Sequence, residues 1–194
     1  MPPMGDAASH RHRPVPGILT FIAADTANFI LFFGYFMVER LHQPALFARS
    51  AAQLHIQLGL LNTVILITSG WLVALAVEAA RAAEMAQVRR RLLGAIGLGL
   101  CFAIVKAIEY GVKIADGLTP QTDAFFTFYY VFTGVHLLHY AIGMALLVAT
   151  AVMARTGRTD TGFTGWIESC ALFWHMVDLL WVFLFAMLYL QGAR

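Results

Sequence analysis

Five long apolar segments constrain the fold of this chain more than any other feature. They occupy residues 17–38, 56–77, 92–112, 124–154 and 166–190. A helix needs about 20 apolar residues, at about 1.5 Å of rise each, to cross the hydrocarbon of a bilayer. Transmembrane strands are shorter, about ten residues of alternating character. The sequence therefore predicts an all-α integral membrane protein, a bundle of five transmembrane helices.

The composition agrees with a membrane protein. Hydrophobic residues make up 60% of the chain and charged residues only 12%, whereas soluble domains carry about 25% charged residues. We expect residues 17–190 to form a single transmembrane domain and the polar, proline-rich residues 1–16 to be disordered. The basic cluster at residues 89–91 adjoins an apolar segment, so we expect no nucleic-acid partner.

The distribution of lysine and arginine predicts the orientation in the membrane. Residues 1–16, 78–91 and 155–165 contain eight of these residues, and all three segments fall on one side of the bilayer. The other side has four, namely Arg40, Arg49, Lys113 and Arg194. Because loops rich in lysine and arginine stay in the cytoplasm, we expect a cytoplasmic N-terminus and a periplasmic C-terminus.

Several spans contain charged residues, which cost several kcal/mol in hydrocarbon and therefore face protein. In the last span, Glu168, His175 and Asp178 fall on one stripe of the helix. In the third span, Lys106 and Glu109 are three residues apart and are predicted to form an ion pair. These side chains are candidates for a buried polar network with a structural or proton-related role.

The fourth span carries His136 and His139 on one face, three residues apart. Two such histidines could ligate a metal or haem, or they could hydrogen-bond to carboxylates of a neighbouring helix. Because His175 and Asp178 lie at a comparable depth, we expect an Asp–His contact between the fourth and fifth spans.

Two further polar residues complete the candidate network. Asp25 in the first span lies one turn from Asn28, and we expect it to be hydrogen-bonded inside the bundle. In the second span, Asn62 shares a face with small and hydroxyl residues, which allow close helix packing and interhelical hydrogen bonds.

The loops are short, so any chemistry must take place in the bundle or belong to a partner. One alternative is a small membrane cytochrome b in which His175 and either His136 or His139 are the axial ligands of a haem. Another is a proton conductor that uses Asp25, Glu109 and Asp178.

Four segments resemble subunit III of the haem–copper cytochrome c oxidases. They are LLNTVILITSG (60–70), FAIVKAIEY (102–110), TGVHLLHYAIG (133–143) and WIESCALFWHMVDLLWVFLF (166–185). They occur in the family's order, which makes the resemblance specific. The full-length family has seven spans, and the first two are expected to be absent here. This truncation, with Asp25 where the mitochondrial-type subunit has a glutamate, resembles the short NorE-type proteins linked to nitric oxide reduction in denitrifying bacteria.

The resemblance implies a non-catalytic accessory subunit in the bacterial inner membrane. Its expected partner is the catalytic subunit of a haem–copper oxidase or a nitric oxide reductase. Haem and copper or iron would then be held by partner subunits, and this chain would have no catalytic, cofactor-binding or metal-binding residues. A structural phospholipid is a further expectation from the family.

Overall fold

The computed structural model describes residues 16–156 and 161–192, and these residues form six helices. The bounds are α1 (Pro16–His42), α2 (Pro44–Ala51), α3 (Ile56–Arg81), α4 (Met85–Ala115), α5 (Ala124–Met153) and α6 (Thr161–Tyr189). Short 3₁₀ turns follow α5 at Ala154–Thr156 and α6 at Leu190–Gly192. Within the described residues, α1, α3, α4, α5 and α6 are long and apolar enough to cross a membrane. The predicted all-α fold with five spanning helices is confirmed.

The helices extend beyond the apolar segments that predicted them. Helix α4 begins at Met85 and not at 92, because the polar turns around residues 89–91 continue the helix outside the apolar run. Helix α1 begins at Pro16, one residue earlier than expected, and continues to His42. The rest of the segment that was predicted to be disordered, residues 1–15, lies outside the described residues.

A short helix between the first two spans was not predicted from the sequence. Pro44 opens α2 in the first turn, where the fixed φ of proline suits a helix and its missing N–H is not needed. Phe47, Ser50 and Ala51 are its buried residues. Phe47 packs against Phe36 of α1 with ring centroids 5.3 Å apart. Helix α2 is therefore an amphipathic segment that covers one end of the bundle.

Helix α6 lies at the centre of the bundle and α1 at its edge. In their most apolar stretches, 67% of the residues of α6 are buried but only 11% of those of α1. Helix α3 packs along α4 and α6, and α5 along α4 and α6. Helix α1 is held mainly by aromatic rings, such as Phe33 against Phe132 of α5 at 5.8 Å. One face of α1 therefore remains open.

Glycine allows the closest approach of α5 and α6. A Cβ atom built at Gly143 would lie 2.7 Å from the ring of Trp174, which is completely buried. Real Cβ atoms do not approach other atoms so closely, and the indole ring is confined by the core around it. Gly143 therefore sets the spacing between these two helices, as small residues do in other membrane bundles.

Replacing Gly143 by alanine should lower the free energy of unfolding by about 1–3 kcal/mol, because the added methyl group overpacks a rigid site. Thermal unfolding of the purified protein in detergent measures the change. Gly97 of α4 is the matched control, since a Cβ atom there would meet nothing within 4 Å. Gly97→Ala should leave stability unchanged or raise it slightly. Equal unfolding temperatures for the two variants would contradict this packing argument.

Candidate functional site in the bundle interior

Lys106 and Glu109 form the predicted ion pair, and both side chains are completely buried. The Nζ atom of Lys106 donates to Glu109 Oε2 at 3.1 Å, to the hydroxyl of Tyr129 at 3.0 Å and to that of Tyr189 at 2.9 Å. The hydroxyl groups of Tyr129 and Tyr189 in turn donate to Glu109 Oε1 at 3.0 and 2.6 Å. Every donor of the ammonium group and both carboxylate oxygens are therefore satisfied.

Aromatic rings surround the ammonium group of Lys106. The Nζ atom lies 4.7 Å from the ring centroid of Tyr129 and 5.1 Å from those of Tyr110 and Trp181. Ring faces attract cations at such distances. A buried ion pair is tolerated only when its geometry is good and its remaining hydrogen bonds are made. This cluster meets both conditions, and it joins α4 to α5 and α6.

Asp25 of α1 pairs with His139 of α5. The distance from Asp25 Oδ1 to His139 Nε2 is 3.2 Å, and His139 Nδ1 lies 2.9 Å from the carbonyl oxygen of Val135. Because a carbonyl only accepts, Nδ1 carries a hydrogen. The contact brings the carboxylate of α1 against the imidazole of α5, and such a pairing is less costly in the membrane than a lone carboxylate.

This pairing corrects the expected Asp–His contact between the fourth and fifth spans. The carboxylate beside His139 comes from α1 and not from α6. Asn28, the expected neighbour of Asp25, is exposed on the outer surface of α1. A helical wheel shows which residues share a face, but it does not show which neighbouring helix that face meets.

His175 and Asp178 lie on another side of the bundle, in the groove between α3 and α6. His175 Nδ1 is 3.6 Å from Asp178 Oδ2, within ion-pair range but too long for a normal hydrogen bond. The side chain of His175 is 45% exposed and that of Asp178 is 11% exposed. Gly70 of α3 leaves the space that the carboxylate occupies. Among the described residues, neither side chain contacts His136 or His139.

Glu168 binds Arg81 at the end of the same groove. The distance from Arg81 Nη2 to Glu168 Oε1 is 2.9 Å, and the arginine side chain is largely exposed. This position agrees with the location of Glu168 near the end of its span. The sequence predicted a buried polar network of these residues, and its structural or proton-related role stays a prediction. The structure separates its members into the Lys106 cluster, the Asp25 pair, the His175 pair and the Glu168 bridge, with Asn62 and His136 outside all four.

The comparisons with known proteins identify the family. The model of the cytochrome c oxidase subunit III family matches residues 15–193. The chain belongs to this family. Among its relatives, cytochrome c oxidase subunit 3 of Synechocystis sp. is 28% identical over 190 residues, which are 96% of this chain and 80% of the relative. The Anopheles gambiae subunit is 31% identical over 91% of this chain and 69% of its own length. The Spodoptera frugiperda subunit is 33% identical over 70% of this chain and 90% of its own length.

The family resemblance of the four sequence segments is thereby confirmed, while the NorE-type assignment stays a prediction. Two of these subunit III segments supply part of the buried cluster, since Lys106 and Glu109 lie in 102–110 and Trp181 lies in 166–185, whereas Tyr129 lies outside all four segments. Tyr189 lies beyond them and was missed. It is 80 residues from Glu109 in sequence, and nothing local to it signals an ion pair.

The arrangement of histidines fits poorly with the haem alternative. Both nitrogens of His139 already contact oxygen atoms of Asp25 and Val135. The ring of His136 is enclosed by Phe102 and Trp181, with centroids 5.8 and 5.3 Å away. His175 faces the groove between α3 and α6.

Removing one partner of the buried ion pair should be costly. We expect Glu109→Leu or Lys106→Met alone to lower the free energy of unfolding by about 3–5 kcal/mol, because an uncompensated charge remains in the core. The double variant should recover most of this loss. Chemical or thermal unfolding in detergent measures the three changes. As a control, Glu168→Gln should cost at most about 1 kcal/mol, because its partner Arg81 is largely exposed to solvent and the amide can still accept a hydrogen bond. A double variant no more stable than the single ones would refute the pairing.

The Asp25–His139 contact predicts different effects for two substitutions of Asp25. An asparagine can still donate a hydrogen bond to Nε2, so Asp25→Asn should leave the position of α1 almost unchanged. Asp25→Leu leaves the imidazole nitrogen without a partner and should cost about 1–3 kcal/mol. Limited proteolysis at the junction of α1 and α2 reports whether α1 is displaced in each variant, and thermal unfolding measures the loss of stability. Equal behaviour of the two variants would show that the contact does not hold α1.

Proposed function

We propose that this chain is a non-catalytic accessory subunit of a haem–copper oxidase complex and stabilises its catalytic subunit in electron transport. Membership of the subunit III family and the similarity to cytochrome c oxidase subunits 3 support this proposal. Haem and copper or iron belong to the partner subunits. The polar residues inside this chain hold its helices in register, and residues 17–190 act as one transmembrane domain.

The observation that carries the proposal is the His175–Asp178 pair at the middle of α6, in which the imidazole is 45% exposed and the carboxylate 11% exposed. We define the α3/α6 face by the residues around it, namely Ile67, Gly70, Trp71, His175, Asp178 and Leu179. Ionisable groups facing lipid at this depth cost several kcal/mol, and the side chain of His175 is partly exposed on this face. A protein partner that covers the face and offers the imidazole a hydrogen-bonding group removes this cost.

Apolar residues around the pair suit such a contact. Trp71 and Leu179 are largely exposed, and large apolar side chains around a polar centre are typical of interfaces between subunits. By contrast, the outer surface of α4 and α5 is mainly aliphatic and suits lipid, with exposed Leu100, Ile104, Ile108, Val131, Leu138 and Ile142. The α3/α6 face is therefore the proposed docking surface for the catalytic subunit.

The orientation and location are also proposals. Arg81 and residues 89–91 lie at the junction of α3 and α4, and Arg40, Arg49 and Lys113 lie at the other ends of their helices. The excess of positive charge supports a cytoplasmic N-terminus and a periplasmic C-terminus. We place the chain in the inner membrane of a bacterium. The NorE-type resemblance supports a finer proposal, namely that the catalytic partner reduces nitric oxide. Assays of the purified complex with oxygen and with nitric oxide decide between an oxidase and a nitric oxide reductase.

A phospholipid has a suitable site at the junction of α1, α2 and α6. A cavity of about 600 Å³ there is lined by apolar side chains such as Met37, Phe183 and Met187. Arg40 also lines it and supplies a positive charge. An acyl chain against the apolar wall and a phosphate at Arg40 would suit this lining.

The docking proposal predicts that bulk added to the α3/α6 face weakens the complex. Leu179→Trp should reduce recovery of the haem-bearing subunit by at least tenfold, about 1.4 kcal/mol, when the tagged chain is purified from native membranes. Leu138→Trp is the matched control, because Leu138 is 60% exposed and Leu179 is 57% exposed. Equal recovery with both variants would reject this face, and a chain that purifies without any haem-bearing partner would reject the accessory role.

A further inference from the structure

Besides the unpaired indole N–H of Trp174, two completely buried polar side chains in the bundle have no partner in the described part of the chain. They are Asn62 of α3 and His136 of α5. Both amide atoms of Asn62 and both ring nitrogens of His136 are buried without a hydrogen bond. Neither residue belongs to the ion pairs described above, so the accessory role leaves them unexplained.

Asn62 and His136 lie in the same layer of the bundle. The ring of His136 is next to Phe102 of α4 and Trp181 of α6. Trp181 Nε1 donates to Thr63 Oγ1 at 3.1 Å, directly beside Asn62 in the chain. The bond from Ser69 to the carbonyl oxygen of Ala95 fixes the antiparallel register of α3 and α4. Asn62 lies seven residues before Ser69 in α3, and Phe102 lies seven residues after Ala95 in α4. The antiparallel helices therefore place Asn62 and Phe102 at the same level.

The nearby charged cluster has no free groups to offer these side chains. An ammonium group has three donors, and those of Lys106 go to Glu109, Tyr129 and Tyr189. Both oxygens of Glu109 also accept hydrogen bonds within the cluster. The unpaired atoms of Asn62 and His136 therefore need another source of donors and acceptors.

Water has the chemistry that both side chains require. The amide of Asn62 offers donors and an acceptor, and a neutral imidazole offers one of each. Folded proteins contain about one buried water per 27 residues, typically with about three hydrogen bonds to otherwise unpaired polar groups. We propose that Asn62 and His136 bind ordered internal water in the layer of Phe102 and Trp181, enclosed by α3, α4, α5 and α6.

This hydration site is distinct from the docking face and from the lipid cavity. It gives the interior of the bundle a polar centre beside the Lys106 cluster, held by side chains from α3 and α5. The site does not depend on the identity of the catalytic partner, so it remains testable whichever complex the chain joins.

A density map of the complex from native membranes, at about 2 Å resolution, tests the proposal directly. We expect solvent peaks within about 3 Å of the Asn62 amide and of a His136 ring nitrogen. Carbon atoms alone around both side chains would overturn the proposal.

A stability measurement gives an independent test. If Asn62 were truly unpaired, Asn62→Leu would remove a buried penalty and raise the unfolding temperature by several degrees. If Asn62 binds water, the leucine displaces it and leaves its other partners unpaired, so the temperature should stay the same or fall. Asn28→Leu on the exposed side of α1 measures the general effect of replacing an amide by leucine in a span. A rise for Asn62→Leu larger than for Asn28→Leu would contradict the proposal. If the variant fails to fold, the density around Asn62 in the native chain decides.

Discussion

The ion pair of Lys106 and Glu109 is the interaction on which the arrangement of the helices depends. In hydrocarbon a lone charge is expensive, so these groups must meet each other and the hydroxyl groups of Tyr129 and Tyr189. Those hydroxyls come from α5 and α6, whereas the charges come from α4. The requirement for full hydrogen bonding therefore fixes the register of three helices at once. Small residues then let α3 and α5 approach α6 closely.

The charged groups of this bundle are accommodated in two ways. Lys106–Glu109 and Asp25–His139 are each balanced by a partner within the chain. His175 is partly exposed, beside the nearly buried Asp178, in the groove between α3 and α6. A subunit of a larger complex can carry such a pair at its surface, because the neighbouring subunit can offer the hydrogen-bonding groups that lipid tails lack. The family membership and the exposed pair support the same accessory role.

The sequence predicted those features that depend on local spacing. Lys106 and Glu109 are three residues apart on one helix, so their contact follows from helix geometry. The partner of His139 could not be predicted, because periodicity shows which residues share a face but not which helix lies opposite. For the same reason the sequence could not show that the stripe with His175 and Asp178 borders the groove between α3 and α6. Helix α2 was missed because its amphipathic pattern lies in a segment too short to span the membrane.

Photo-cross-linking in native membranes tests whether the α3/α6 face docks against the haem-bearing subunit. A photoreactive amino acid at position 71 would replace Trp71, which is exposed beside His175 and Asp178 on the α3/α6 face. We expect a covalent adduct with the haem-bearing subunit, and none from the same group at position 104 on the outer side of α4. An adduct with lipid alone at position 71, or with the haem-bearing subunit at position 104, would contradict this expectation.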